Sequence, residues 1–404
     1  MTTVVDPSAQ SGTVTGGGNF TTGNTAILTA TAKTGCTFLR WENNSQAATR
    51  KILITDANVT VTAYFGATND IAKPIVEKPE DQNAMVGVTF NLPLQITSAS
   101  LPTVTVTGLP TGLKYDAATK SVSGVPTATA LSKVVTITAK NANPTAAVQT
   151  FVMTVGPLPS WASGTFNGWC RLNDDFGAAT MTVTAVGTVT GKLSAGATNC
   201  TFGASGYDPG SSPTVGFFVT VAGPAGKEVV PLIFAVDNCE FAEAPTLAMV
   251  EGKQGDDLVS VMYRNIWKDA GMATELSPYP GYYTAVLPGG KEYGSGYLAF
   301  TVDSAGGVKT AGKLADGTAV SLSGTLILDE TGREFAVLYT SPTAYKGGGL
   351  FGMAEFVASK ADDPVAEPGY RQPERRQAAE LRPALPVVRV LVQMYEREDA
   401  HTVQ

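Results

Sequence analysis

Short runs in which Val and Thr alternate recur along nearly the whole 404-residue chain, each bounded by glycine or proline. Thr103-Val-Thr-Val-Thr107, Val135-Thr-Ile-Thr138 and Asn58-Val-Thr-Val-Thr-Ala-Tyr-Phe65 are examples. A period of two sends successive side chains to opposite faces of an extended strand, and β-branched residues suit that pleated surface. With 43 Gly and 24 Pro placed mostly between the runs, the pattern predicts many brief strands joined by tight turns. The fold class expected is therefore all-β. At this length the chain exceeds one ordinary domain of about 100–200 residues, so tandem small β-domains are expected.

Composition removes several functions. Charged residues make up 16% of the chain, against a usual share of about 25%, which leaves no charge-driven disordered protein. The net charge is −7 and no basic face precedes the C-terminal tail, so nucleic acid is not an expected partner. Apolar stretches such as Val229 to Val236 fall far short of the roughly 20 residues of a spanning helix, so no membrane insertion is expected. The start lacks a basic and an apolar leader region. Either the protein stays inside the cell or its true N-terminus precedes this sequence.

The single histidine is His401, so the body of the chain has no imidazole. Ser-His-Asp, Cys-His and histidine-based zinc sites are excluded, and neither catalysis nor a cofactor or metal is expected. Gly223-Pro-Ala-Gly-Lys-Glu228 has the wrong spacing for a phosphate loop and reads as a hairpin turn. The acid pairs Asp174/Asp175 and Asp256/Asp257 could serve a carboxylate-based hydrolase only with partners, since adjacent strand residues face opposite ways.

Four segments follow. Residues 4–67 run from a Gly-rich opening, Ser11 to Phe20, through the strand Thr25 to Ala32 to Gly35-Cys-Thr-Phe-Leu-Arg-Trp41, and close on Thr62-Ala-Tyr-Phe65. This layout resembles the divergent internalin-type B-repeat, which implies a small stalk or spacer module of bacterial surface proteins without catalytic residues. Trp41 is expected in its core, with an exposed ligand platform as the alternative. A Pro- and acid-containing linker, Asn69 to Asp81, comes next. Residues 70–157 carry Gly108-Leu-Pro-Thr-Gly-Leu113, then Asp116-Ala-Ala-Thr119, then Ser123-Gly-Val-Pro-Thr127. That series resembles the immunoglobulin-like domain family of bacterial surface proteins and implies a β-sandwich. Gly112 and Gly124 are expected to relieve crowding in turns, and Asp116 to brace one with its side chain. A calcium role for Asp116 lacks the clustered acids it would need.

Residues 160–358 hold an internal repeat, with halves about 160–250 and 281–358. Gly164-Thr-Phe-Asn-Gly-Trp169 is echoed by Gly281-Tyr-Tyr-Thr-Ala-Val286, and each half has a hairpin ending in Gly-Lys-Leu, at Gly191 and Gly312. A duplicated β-barrel or sandwich is expected. The region is similar to tandem β-domains attached to immunoglobulin-like modules in large secreted proteins of the Verrucomicrobia and Planctomycetes, which implies no known activity. The segment between the halves, Gly255 to Pro280, departs from the Thr/Gly style and holds Arg264, Trp267 and Tyr279. With Tyr282 and Tyr283 these form a candidate ligand-binding set of the kind that sugar-binding surfaces use. The competing reading is a connector that plugs a barrel end with Trp267 buried. Cys170 and Cys200 could bridge neighbouring strands in an oxidising compartment, or stay free.

All lysines lie at or before Lys360, whereas residues 361–404 contain six Arg and no Lys, with prolines at 364, 368, 373, 383 and 386. This tail is expected to be disordered or partly helical around Glu374 to Leu381. It reads either as a charged linker or as translation of a shifted frame. Family resemblance places the chain outside the cell or at its surface as a non-catalytic structural or adhesive array. Binding of a glycan or surface protein through residues 160–358 is the alternative, and a carboxylate-based hydrolase the second.

Overall fold

The Val/Thr runs fall on paired strands throughout, because each run leaves one row of apolar side chains that only a second layer can cover. The computed structural model describes residues 1–55, 58–173, 175–208, 217–221, 231–240, 242–287, 295–315, 317–340, 350–358 and 388–394. Two compact units emerge, Met1–Pro157 and Leu158–Gln404.

In the first unit, six strands come first: β1 (Thr2–Asp6), β2 (Gly12–Thr15), β3 (Thr25–Ala32), β4 (Cys36–Trp41), β5 (Thr49–Leu53) and β6 (Thr60–Ala67). They form two sheets, ordered β1-β6-β4 and β2-β3-β5. The opening strand lies parallel to the closing one, from Thr2 opposite Thr60 to Asp6 opposite Tyr64. Leu28, Trp41, Val61 and Phe65 fill the space between the sheets. Trp41 is a core residue, as expected, and its indole N–H donates to the Ala47 carbonyl at 2.9 Å. Gly12 is required by packing, since a Cβ there would lie 2.4 Å from the Phe65 ring.

Nine strands follow: β7 (Ile75–Val76), β8 (Gln82–Met85), β9 (Phe90–Pro93), β10 (Ile96–Thr97), β11 (Thr103–Thr107), β12 (Leu113–Asp116), β13 (Ser121–Gly124), β14 (Ala130–Lys140) and β15 (Ala147–Gly156). One sheet is ordered β11-β14-β15-β8, another β12-β13-β9, and β7 pairs with β10. Val122, Val135, Ile137, Phe151 and Met153 share one core, which makes this part a sandwich. The Pro-containing linker is docked onto it. Ile71 and Val76 are buried, and the side-chain amides of Asn141 and Asn143 donate to the carbonyls of Ala72 and Ile71. Prolines kept this stretch extended, and extended backbone can still pair at a sheet edge.

The second unit begins with β16 (Gly164–Leu172), β17 (Asp175–Val183), β18 (Val189–Ala195), β19 (Thr198–Ala204), β20 (Phe217–Val221), β21 (Leu232–Asn238), β22 (Ala248–Gln254) and β23 (Asp257–Arg264). They make one eight-stranded sheet ordered β19-β18-β17-β16-β23-β22-β21-β20, all neighbours antiparallel. Its end strands β19 and β20 approach each other, so the sheet curls toward a barrel, with Phe166, Met181, Leu193 and Phe234 buried.

After the short helix α1 (Met272–Leu276) come β24 (Gly281–Leu287), β25 (Gly296–Val302), β26 (Gly307–Lys313), β27 (Ala319–Thr325), β28 (Ile327–Leu328), β29 (Glu334–Thr340), β30 (Leu350–Ala358) and β31 (Val388–Met394). The sheets here are β24-β25-β26-β27 and β28-β29-β30-β31. Gly164 pairs with Val183 and Gly281 with Val302, so the two halves share a register at their opening hairpins. The Gly-Lys-Leu motifs do not coincide in it. Val189 and Val308 are equivalent across the next hairpin, which sets Gly191 opposite Thr310 and moves the second motif on by two residues. A slip of two keeps every side chain on its face.

The tail differs from the expectation at one place. Residues 388–394 form a strand on β30, whereas the helix expected at 374–381 lies outside the described residues. So does the hairpin turn expected at 223–228.

Candidate functional site

The five residues proposed from sequence do not form one surface. Trp267 is only 4% exposed, and its indole N–H donates to the Leu326 carbonyl. It packs in the core of the second half of this unit, with Ile266, Met272, Leu276 and Phe300. Gly306 is left bare for it, since a Cβ there would lie 2.4 Å from the indole. The connector reading is thus the one that describes Trp267.

Tyr279 is 5% exposed in the same core. Burial raises its phenol above the ordinary range, and the neighbouring Glu334 carboxylate, to which it is hydrogen-bonded, raises it further. Burial likewise pushes the Glu334 carboxyl up. The Tyr283 hydroxyl donates to the Tyr279 carbonyl, and its ring meets Phe356 edge-on at 5.6 Å. These two tyrosines are structural, one burying its ring and the other closing the rim.

Arg264 ends β23 and is committed to neighbours. Its guanidinium is ion-paired with Asp269 and donates from Nε to the Ser163 carbonyl, while Thr246 Oγ1 donates to the same Asp269 carboxylate. The arrangement ties β23 to the turn that follows it. A cavity of about 460 Å³ opens beside this cluster, lined also by Glu243 and Lys268.

Tyr282 alone of the set faces outward, at 70% exposure. Alternation along β24 separates it from Tyr283. Ladder registers put it in a row across four strands with Thr301, Lys309 and Ser323. The next row holds Thr284, Ala299, Ala311 and Ser321, and a shallow depression of about 480 Å³ runs over these rows. The equivalent row in the first half is Thr165, Thr182, Thr190 and Gly203. The exposed aromatic is therefore not a requirement of the sheet. Sequence reasoning named Tyr282 but missed its hydroxyl and amine neighbours, which only the register between distant strands assembles.

Cys170 and Cys200 do not bridge, and both are free thiols. They lie on β16 and β19, with β17 and β18 between them, rather than on neighbouring strands. Burial raises the Cys170 thiol to about 12, so it is held neutral. Asp256 and Asp257 sit exposed at the turn between β22 and β23, and Asp174 lies outside the described residues. Among the described residues no group of three or more His, Cys, Asp or Glu is placed to hold a metal ion. No described helix is long and apolar enough to cross a membrane.

Residues 2–69 match the family described as "Divergent InlB B-repeat domain", and residues 73–156 match that described as "Putative Ig domain". The chain thus carries an InlB B-repeat-like domain followed by an Ig-like domain. Over 98 residues it is 38% identical to the "Serine-rich adhesin for platelets" of Staphylococcus aureus strain MRSA252, covering 23% of this chain and 7% of that protein. The adhesin of strain USA300 is equally similar, with 4% of its length covered. Among solved structures, Drosophila OTK extracellular domains 3–5 align at 10% identity over 72% of this chain and 69% of theirs, with a TM-score of 0.19.

Proposed function

We propose that this chain is a non-catalytic stretch of an extracellular or surface-displayed adhesive protein, in which small β-modules space and display a binding surface. The observation that carries the reading is the pair of adjoining modules at residues 2–69 and 73–156, together with the similarity to a staphylococcal adhesin. Residues 160–358 are read as a duplicated β-domain of the sort attached to such modules in secreted bacterial proteins. The low charge and absent imidazole of the body support a structural rather than a catalytic role. Antibodies raised to this chain and applied to intact cells of the source bacterium test the reading. Surface labelling that protease treatment of whole cells removes is expected, and signal confined to lysed cells overturns it.

A second reading is favoured by Tyr282. An exposed aromatic ring beside Thr301, Lys309 and Ser323 offers a stacking surface and hydrogen-bonding groups to a glycan or to a surface protein. Glycan and protein arrays probed with the intact chain and with Tyr282→Ala test it. A binder lost on that substitution is expected, and one retained by it overturns this placement.

A further inference from the structure

In the first half of the second unit, β23 follows β22 after the turn Gly255-Asp256 and pairs with β16 from Phe166 opposite Arg264 to Cys170 opposite Ser260. The second half repeats that strand order through β30, and the strand that closes it comes from elsewhere in the chain. β30 ends at Ala358 and β31 starts at Val388, so residues 359–387 lie between two strands that are direct neighbours. Hairpin loops ordinarily contain about 2–5 residues. Even so, pairing is continuous from Ala358 opposite Val388 to Gly352 opposite Met394. On its far side β31 comes within 8 Å of β24, Cα to Cα, though no ladder joins them and the two strands belong to separate sheets. In place and order β31 does what β23 does in the first half.

We propose that the slot between β30 and β24 is a binding site for an extended peptide strand, and that residues 388–394 are its resident ligand, held by main-chain pairing. The site exists because β30 without a neighbour on that side is an open edge. Its row of N–H and C=O groups would be unsatisfied, on a strand whose Leu350, Phe351 and Phe356 are already buried in the core. Strand addition is the recognised way to fill such an edge: backbone bonds supply the affinity, and alternate side chains the selectivity. Loop-closure entropy grows only logarithmically with length, so a long tether still favours the chain's own segment over one from solution.

The test uses the full chain with a protease recognition sequence inserted after Pro368. After cutting, the fragment carrying residues 388–404 is expected to co-elute with the body on size exclusion, and a tenfold excess of labelled synthetic peptide 385–397 is expected to replace it. Separation of the fragment on cutting, or co-elution with no uptake of the peptide, overturns the proposal. In the uncut chain, Val390→Pro with Val392→Pro is expected to raise amide exchange of Gly352–Ala358 at least tenfold and leave β16–β23 unchanged. Unaltered exchange in β30 overturns it. An uncut chain that elutes as a dimer, and that the peptide converts to monomer, would place the strand in a second copy and overturn the assignment within one chain.

Discussion

Gly112 and Gly124 show how a single missing Cβ can hold a turn together. Both have positive φ, +95° and +140°, and a Cβ would lie 2.0 Å from the Val125 carbonyl oxygen at the first and 2.2 Å from the Gly112 oxygen at the second. Either residue changed to Ala is expected to destabilise the module by at least about 2 kcal/mol, read by urea denaturation. Asp329 is a buried carboxylate, 1% exposed, in the turn after β28. Burial by itself pushes its pKa up, but hydrogen bonds from the Thr331 side chain and from the backbone and guanidinium of Arg333 outweigh that and leave it below the usual value. A depressed folded pKa means stability that is present above the unfolded value of about 3.9 and lost as pH falls toward the folded one. Asp329→Asn is therefore expected to cost about 1–3 kcal/mol at pH 7, with the gap to the parent closing below about pH 4 in a series of denaturation curves. The roles of the two glycines were legible from Gly-Leu-Pro-x-Gly-Leu and Ser-Gly-x-Pro-Thr. That of Asp329 was not, since nothing in Leu-Asp-Glu-Thr-Gly-Arg says the turn is buried.

At the scale of elements, β24 and the connector before it separate what the sequence had grouped. Trp267→Ala empties a core position and is expected to destabilise the second half of the unit by about 3–5 kcal/mol, whereas Tyr282→Ala is expected to stay within about 0.5 kcal/mol. Thermal unfolding followed by near-ultraviolet circular dichroism distinguishes them. The strands themselves were largely legible: Thr25–Ala32 and Thr103–Thr107 fall where alternation put them, and Val135–Thr138 lies inside β14. The run from Ala319 to Leu328 divides into β27 and β28 at Leu326, which keeps the phase of Val320 and Leu322, while Ile327 beside it is buried as well and so breaks the period of two. The candidate site was less legible. Clustering of aromatics in sequence does not distinguish a plug from a platform, since both need large rings and only burial separates them. Alternation could have assigned Tyr282 and Tyr283 to opposite faces, although not which face was wet.

For the whole molecule, the cores give the organisation. The clusters around Trp41 and Ile137 lie wholly within residues 1–157, and the cluster around Trp267 lies wholly within 158–404. Residues 1–157 expressed alone are expected to show a β-type circular dichroism spectrum and cooperative unfolding, and a non-cooperative loss of signal would contradict that. The sequence by itself determined the all-β class, the B-repeat and Ig-like modules and the strands that open at Gly164 and Gly281, because period, turn residues and local motifs are properties of neighbouring residues. Tertiary structure alone decided three things. It set β1 beside β6, it buried Trp267 while exposing Tyr282, and it brought residues 388–394 to β30 across the span of 359–387. Each depends on which distant segment covers a sheet face or edge, and an alternating strand carries the same pattern whichever partner it finds.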